Sequence, residues 1–196
     1  VRRADEVKTL VKAVADGAVC MVNSFRTCLL HRKAFFALLT GEDTPVKFTA
    51  AEQDILRRHV PWTRRVRDGK TVRDGQTVDL VDTIRSQRRN MVLKPNDEYG
   101  GKGVFLGWKC SESEWDEALK QALEGDYVVQ ARIPLSRGPF PLMDGSREVK
   151  TLLIDMDPFV FRSDLGGFLT RLSVSDLANV TAGGGQVPTY VIEPKI

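Results

Sequence analysis

The chain has 196 residues, enough for one substantial domain or two small ones, with 42% hydrophobic and 28% charged residues as in soluble globular proteins. Twenty-nine basic against 26 acidic residues leave a net charge of +3, too balanced to argue for a nucleic-acid partner. No apolar run reaches the ~18 residues of a spanning helix, and three cysteines without a CxxC pair fit a reducing cytoplasm better than secretion. In chain order, apolar residues at 7, 10, 11 and 14 predict a first helix closed by Gly17. "AVCMVN" (18–23) reads as a short buried strand, and "HRKAFFALLTG" (31–41) as a second helix. Thr49 and Glu52 have capping-box spacing and open a third, which Pro61 ends. Two Asp-Gly pairs within 66–77 predict a turn or hairpin, and 78–89 a short amphipathic helix. "NMVLKP" (90–95) and "GVFLGWK" (103–109) are strands across a glycine loop. Ser111 and Glu114 form a second capping box, opening a helix that Gly125 stops; "YVVQARI" (127–133) is the next strand. A Pro/Gly-rich loop at 134–145, strands near 147–155, 158–162 and 167–173, and a glycine-rich tail complete an α+β pattern. The chain opens with Val-Arg-Arg and reads as a piece of a longer polypeptide.

The chemistry concentrates in "LKPNDEYGGKGVFLG" (93–107). An apolar strand ends in Lys94, turns through Pro95, and is followed by Gly100, Gly101 and Gly103 around Lys102. Three glycines in four residues carry a large entropic cost of ordering, which a polyphosphate would offset by accepting backbone N–H groups. Lys102 reads equally as a phosphate contact or as a solvated loop residue. GxxxxGK[ST] and GxGxxG are absent, and the loop leads into a strand rather than a helix. A protein kinase is excluded because HRD and DFG are missing and the lysine precedes the loop. Two histidines, His31 and His59, argue against a His/Cys zinc site and a Ser-His-Asp triad. Gln130, in a strand between apolar neighbours, needs amide partners if buried, and an adenine edge would supply one. Trp62, Trp108 and Trp115 read as core or interface residues, and "RRHVPWTRRVR" as a solvated helix end with one or two arginines facing a cleft.

Lysine, glycine loop, helix and a strand ending in Gln resemble the ATP-grasp enzymes. More specifically, "AVCMVNSFRTCLLHRKAFFALLTGE", "RRHVPWTRRV", "VLKPNDEYGGKGVFLGW", "YVVQARIP" and "GGFLTRLS…NVTAGGGQVPT" resemble the circularly permuted ATP-grasp group, relatives of glutathionylspermidine synthase. The resemblance implies two α+β subdomains around a nucleotide cleft: residues 1–89 with the Lys33 helix, 90–133 with lysine, loop and hinge, and 134–196 completing the cleft. It implies ATP contacts from Lys33, Lys94, Gly100, Gly101, Lys102, Gly103, a hinge of Gln130, Ala131 and Ile133, and Asn179. It implies catalytic roles for Arg171, beside the transferred phosphoryl group, and Lys33. The activity implied is an ATP-dependent carboxylate–amine ligase working through an acylphosphate on a small carboxylate with an amine or peptide-like partner. The Mg2+ ligands that such an enzyme needs are expected mostly upstream of Val1, in another part of the same polypeptide, with Asp155 and Asp157 as substitutes. The competing readings are a catalytically inactive nucleotide-binding or scaffold module and, on the arginine run, an RNA-binding domain.

Overall fold

The computed structural model describes residues 5–42, 44–142, 148–178 and 184–192. Helices are α1 (Lys8–Ala15), α2 (Cys28–His31), α3 (Ala34–Thr40), α4 (Ala50–His59), α5 (Leu80–Ser86) and α6 (Glu112–Glu124). Strands are β1 (Thr63–Arg65), β2 (Lys70–Arg73), β3 (Gln76–Asp79), β4 (Met91–Pro95), β5 (Phe105–Leu106), β6 (Tyr127–Ala131), β7 (Arg137–Pro141), β8 (Val149–Phe161), β9 (Asp164–Ser173) and β10 (Gly184–Val187). The fold is α+β. One antiparallel sheet runs β1-β6-β4-β5, a second runs β10-β9-β8-β7, and β2-β3 is a separate hairpin. Among the described residues no helix is long and apolar enough to cross a membrane.

The first sheet carries the core. Successive strand residues point to opposite faces. Met91 and Leu93 of β4 and Tyr127 and Val129 of β6 therefore share one face, which packs on Ile84 of α5 and Trp115, Ala118, Leu119 and Ala122 of α6. Both capping boxes exist: Thr49 accepts the Glu52 N–H and Ser111 the Glu114 N–H, with each glutamate accepting in return. The opposite face bears Val92, Lys94, Val128 and Gln130, and α3 packs against β1 and β6 on this sheet. The alternation that buries the core thus delivers a lysine and a glutamine to the other side.

Several expectations need correction. Residues 18–23 are not a strand: among the described residues nothing pairs with them, and Val22 is 75% exposed. An apolar run becomes a strand only where a neighbour supplies the ladder. The helix expected over 31–41 is broken at Arg32, whose backbone is extended, so α3 starts after Lys33. Asp74-Gly75 makes the tight turn between β2 and β3, both residues at positive φ (51° and 79°). β3 takes the first residues of the helix expected over 78–89. Of the strand expected over 103–109, only 105–106 pair. The proposed loop at 134–145 contains β7, and the glycine-rich tail contains β10; both are edge strands, where Pro139 and Gly184-Gly185 are tolerated. The two strands expected at 147–155 and 158–162 are one, β8. Around Pro158 its described ladder is with β9 alone, so an imide without an N–H interrupts only one side.

Candidate functional site

Lys94, Gln130 and Thr63 form a line across three strands. The Lys94 Nζ donates to Gln130 Oε1 at 2.7 Å, and the Gln130 Nε2 donates to Thr63 Oγ1 at 2.9 Å. Gln130 is buried, and both ends of its amide are satisfied inside the protein, so the partners expected from an adenine are supplied by Lys94 and Thr63. Lys33 comes to the same place from the start of α3. Its Nζ donates to the Glu98 carbonyl at 2.6 Å and its backbone N–H to the Asn96 carbonyl at 3.1 Å. Burial holds the Lys94 amine below the usual lysine range, and the Lys33 charge lowers it further. Burial also lowers Lys33, against the pull of Asp97 and Glu98. Among the described residues, no carboxylate lies within ion-pair distance of Lys94. Lys33 has Asp97 and Glu98 to balance its charge, whereas Lys94 has, among these residues, only the Gln130 amide oxygen and feels the Lys33 charge.

The segment 31–33 is strapped to the segment 96–98. Arg32 pairs with Asp97 at 3.1 Å, and His31 lies 3.5 Å from the same carboxylate. The glycine turn follows. Gly100, Gly101 and Gly103 all have positive φ (69°, 79° and 68°), a conformation that side chains rarely adopt. Gly103 has a packing reason as well, since a Cβ there would lie 2.7 Å from Pro95 Cγ and 3.1 Å from the Tyr127 hydroxyl. Lys102 is largely exposed, 3.6 Å from Glu98, and points to no other described partner.

The remaining expected residues are placed differently. The Ala131 N–H donates to Trp62 O at 2.8 Å and the N–H of the following Arg132 to Asn90 O at 2.8 Å, so the amide of Ala131 and that of its neighbour serve nearby backbone. Ile133, 56% exposed, stands beyond the strand. Arg171 lies on β9 in the second sheet. It donates from Nε to Asp155 at 2.8 Å and from Nη2 to Asp157 at 2.8 Å. Both aspartates suggested as Mg2+ ligands are therefore engaged by an arginine, and in this arrangement they do not fit a metal shell. Asn179 lies outside the described residues. "RRHVPWTRRVR" is not a helix end beyond residue 60: Arg64 sits in β1, buried, bonded to Thr71, Thr40, Glu42 and Val72. Trp115 is core, its indole N–H on Ile84 O; Trp62 carries Arg64 and Arg73 over its ring, each at 4.8 Å. Cavities of about 340 and 770 Å3 share Gly41 and Thr44 in their walls, and neither is lined by Lys33 or Lys94.

Sequence reasoning missed Thr63, which completes the line, and Asn96, which joins β4 to α3. A polar residue directly after a buried strand was the only visible signal for Asn96. No family model matches the chain, and no solved structure matches it. It is similar to an uncharacterized protein of Mycobacterium tuberculosis and to its Mycobacterium bovis counterpart, each 29% identical over 133 residues. A Mycobacterium leprae protein is 28% identical over 129 residues. These matches cover 62% of this chain but 22–23% of the relatives, so the chain corresponds to less than a quarter of those proteins.

Proposed function

We propose that this chain carries the nucleotide-binding part of an ATP-dependent carboxylate–amine ligase of ATP-grasp type. One observation carries the reading: Lys33 and Lys94, far apart in sequence, converge on one sheet face where Lys94 has an amide oxygen and no carboxylate. Burying the Lys94 cation without a carboxylate and within reach of a second cation is unfavourable unless an anion joins it. A triphosphate matches that demand, and the positive-φ glycine turn that follows β4 suits close approach of phosphate oxygens. Lys33 and Lys94 would hold the phosphates, with Lys102 at the turn, Ile133 beside the base and Arg171 at the transferred group. ATP would phosphorylate the substrate carboxylate; the amine then attacks the acylphosphate carbon and inorganic phosphate leaves. The chain's contribution is positioning and charge neutralisation, with no protein nucleophile. A second reading, a nucleotide-binding module without turnover, is favoured by the Arg171 ion pairs that occupy Asp155 and Asp157.

Calorimetry with a non-hydrolysable ATP analogue tests the shared part of both readings. Saturable heat at millimolar nucleotide or below is expected, and its absence from the folded chain overturns both. Phosphate release that depends on an added carboxylate and amine, measured on the full-length polypeptide, separates the ligase from the inert module.

A further inference from the structure

We propose that Asn96 positions Lys33 against Lys94, acting as a non-local cap that fixes the start of α3 and is itself locked to Asp126. The inference rests on the nucleotide reading only for what the two lysines bind. Asn96 is 3% exposed and uses every polar group it has. Its Oδ1 accepts the Ala34 N–H at 2.8 Å, and its carbonyl accepts the Lys33 N–H at 3.1 Å. Its Nδ2 donates to Asp126 Oδ2 at 2.7 Å, and its backbone N–H donates to Asp126 O at 2.8 Å. The other Asp126 oxygen accepts from Arg65 at 2.9 Å.

Helix α3 cannot supply this cap locally. The residues before Ala34 are Arg32 and Lys33, whose side chains have no acceptor, and no local side-chain cap is present. Asn96 comes from a strand end 62 positions away. Lys94 is fixed two residues earlier on the same strand, in register with Val128. One rigid segment therefore holds one lysine directly and the other through the asparagine amide. Only an amide suits the site: one end must accept from α3 and the other must donate to a carboxylate. An aspartate would set two carboxylates face to face, and an alanine would leave a helix N–H and half of the Asp126 carboxylate unpaired.

The test is a cycle of Asn96→Ala, Lys33→Met and the double variant, with folding checked by thermal unfolding. Two readouts are made: titration of the Lys94 amine by NMR of 13C-labelled lysine, and affinity for tripolyphosphate. Removing Lys33 takes away a like charge and raises the Lys94 titration. If Asn96 acts through Lys33, Asn96→Ala raises it in the same direction, although no charge is changed. Each single variant then weakens tripolyphosphate by about tenfold, and the double variant is little worse than Lys33→Met. A folded Asn96→Ala with the parental Lys94 titration, or fully additive losses, overturns the proposal. If Asn96→Ala does not fold, Asp126→Ala replaces it. Loss of that carboxylate alone lowers a neighbouring lysine, whereas release of the latch raises it, so an unchanged or lowered Lys94 titration overturns the proposal. If the titration moves as expected but the parent binds neither tripolyphosphate nor ATP, the latch stands and the nucleotide reading falls.

Discussion

At the scale of single residues, Lys94 is where structure and chemistry meet. A charge-assisted hydrogen bond to phosphate is worth about 1.5–3 kcal/mol. Lys94→Ala is therefore expected to weaken an ATP analogue by about ten- to a hundredfold in calorimetry. Lys94→Arg is expected to bind worse than the parent as well, because a planar fork does not replace a point charge beside Gln130. Lys70→Ala, on the β2-β3 hairpin, is the control and should bind as the parent does. The Lys94 amine is held low by burial first and Lys33 second, so it sheds its proton at lower pH than an exposed lysine. On the proposed nucleotide reading the cation is the binding form. Analogue affinity should thus decline, as pH rises, before the ~10.4 at which an ordinary lysine titrates. Affinity flat through pH 10 in a pH series would remove Lys94 from the phosphate contact. Lys94 was legible because an apolar strand ended in a cation beside a glycine turn. Gln130 was legible as a buried amide in need of partners, but its actual partners lie on two other strands, and no local pattern encodes them.

At the scale of elements, the turn after β5 is held by one backbone bond and by the Arg88 side chain, with no room for a side chain on Gly107. The Gly107 N–H donates to Met91 O at 3.0 Å, and Arg88 Nη1 donates to Gly107 O at 2.9 Å and also to Cys110 O. A Cβ on Gly107 would collide with the Arg88 carbonyl and lie 2.9 Å from Met91 O. Both obstacles are backbone and cannot swing aside. Gly107→Ala is expected to cost about 3 kcal/mol, seen as a lower denaturation midpoint. A midpoint equal to the parent's would mean that this turn shifts freely. The nearby helix α6 shows the opposite logic. Its boundaries follow from Ser111, Glu114 and Gly125 within its own sequence, and the structure reproduces them.

At the scale of the whole molecule, Asp176 ties the two sheets together. From just beyond β9 it accepts from the Trp108 indole and from Lys109, both at 3.1 Å, beyond β5, and from Arg137 of β7 at 2.5 Å. The Trp108 bond, then Lys109 and Arg137, hold its carboxyl down to about 2. The side chain is 17% exposed. A depressed carboxyl stabilises the fold above its unfolded value near 3.9 and loses that contribution as pH falls through the folded one. The pair of values corresponds to about 2–3 kcal/mol. Asp176→Asn should therefore lower stability at pH 7 by about 2–3 kcal/mol and flatten the acid decline between about pH 4 and 2. An acid unfolding curve identical to the parent's would show that the clamp contributes nothing. What the sequence by itself determined were the features set by short-range chemistry: two capping boxes, the Asp74-Gly75 turn, the apolar strands β4 and β6, and the lysine before a glycine turn. Each depends on contacts within a few residues, so each is written locally. The tertiary structure alone decided that 18–23 has no ladder, that β7 and β10 form at sheet edges, that Arg64 is buried, and that Arg171 binds Asp155 and Asp157. It alone brought Lys33 to Lys94, through Asn96. Those outcomes depend on which distant backbone or charge arrives alongside, and loop closure over tens of residues leaves no periodicity in the chain to announce it.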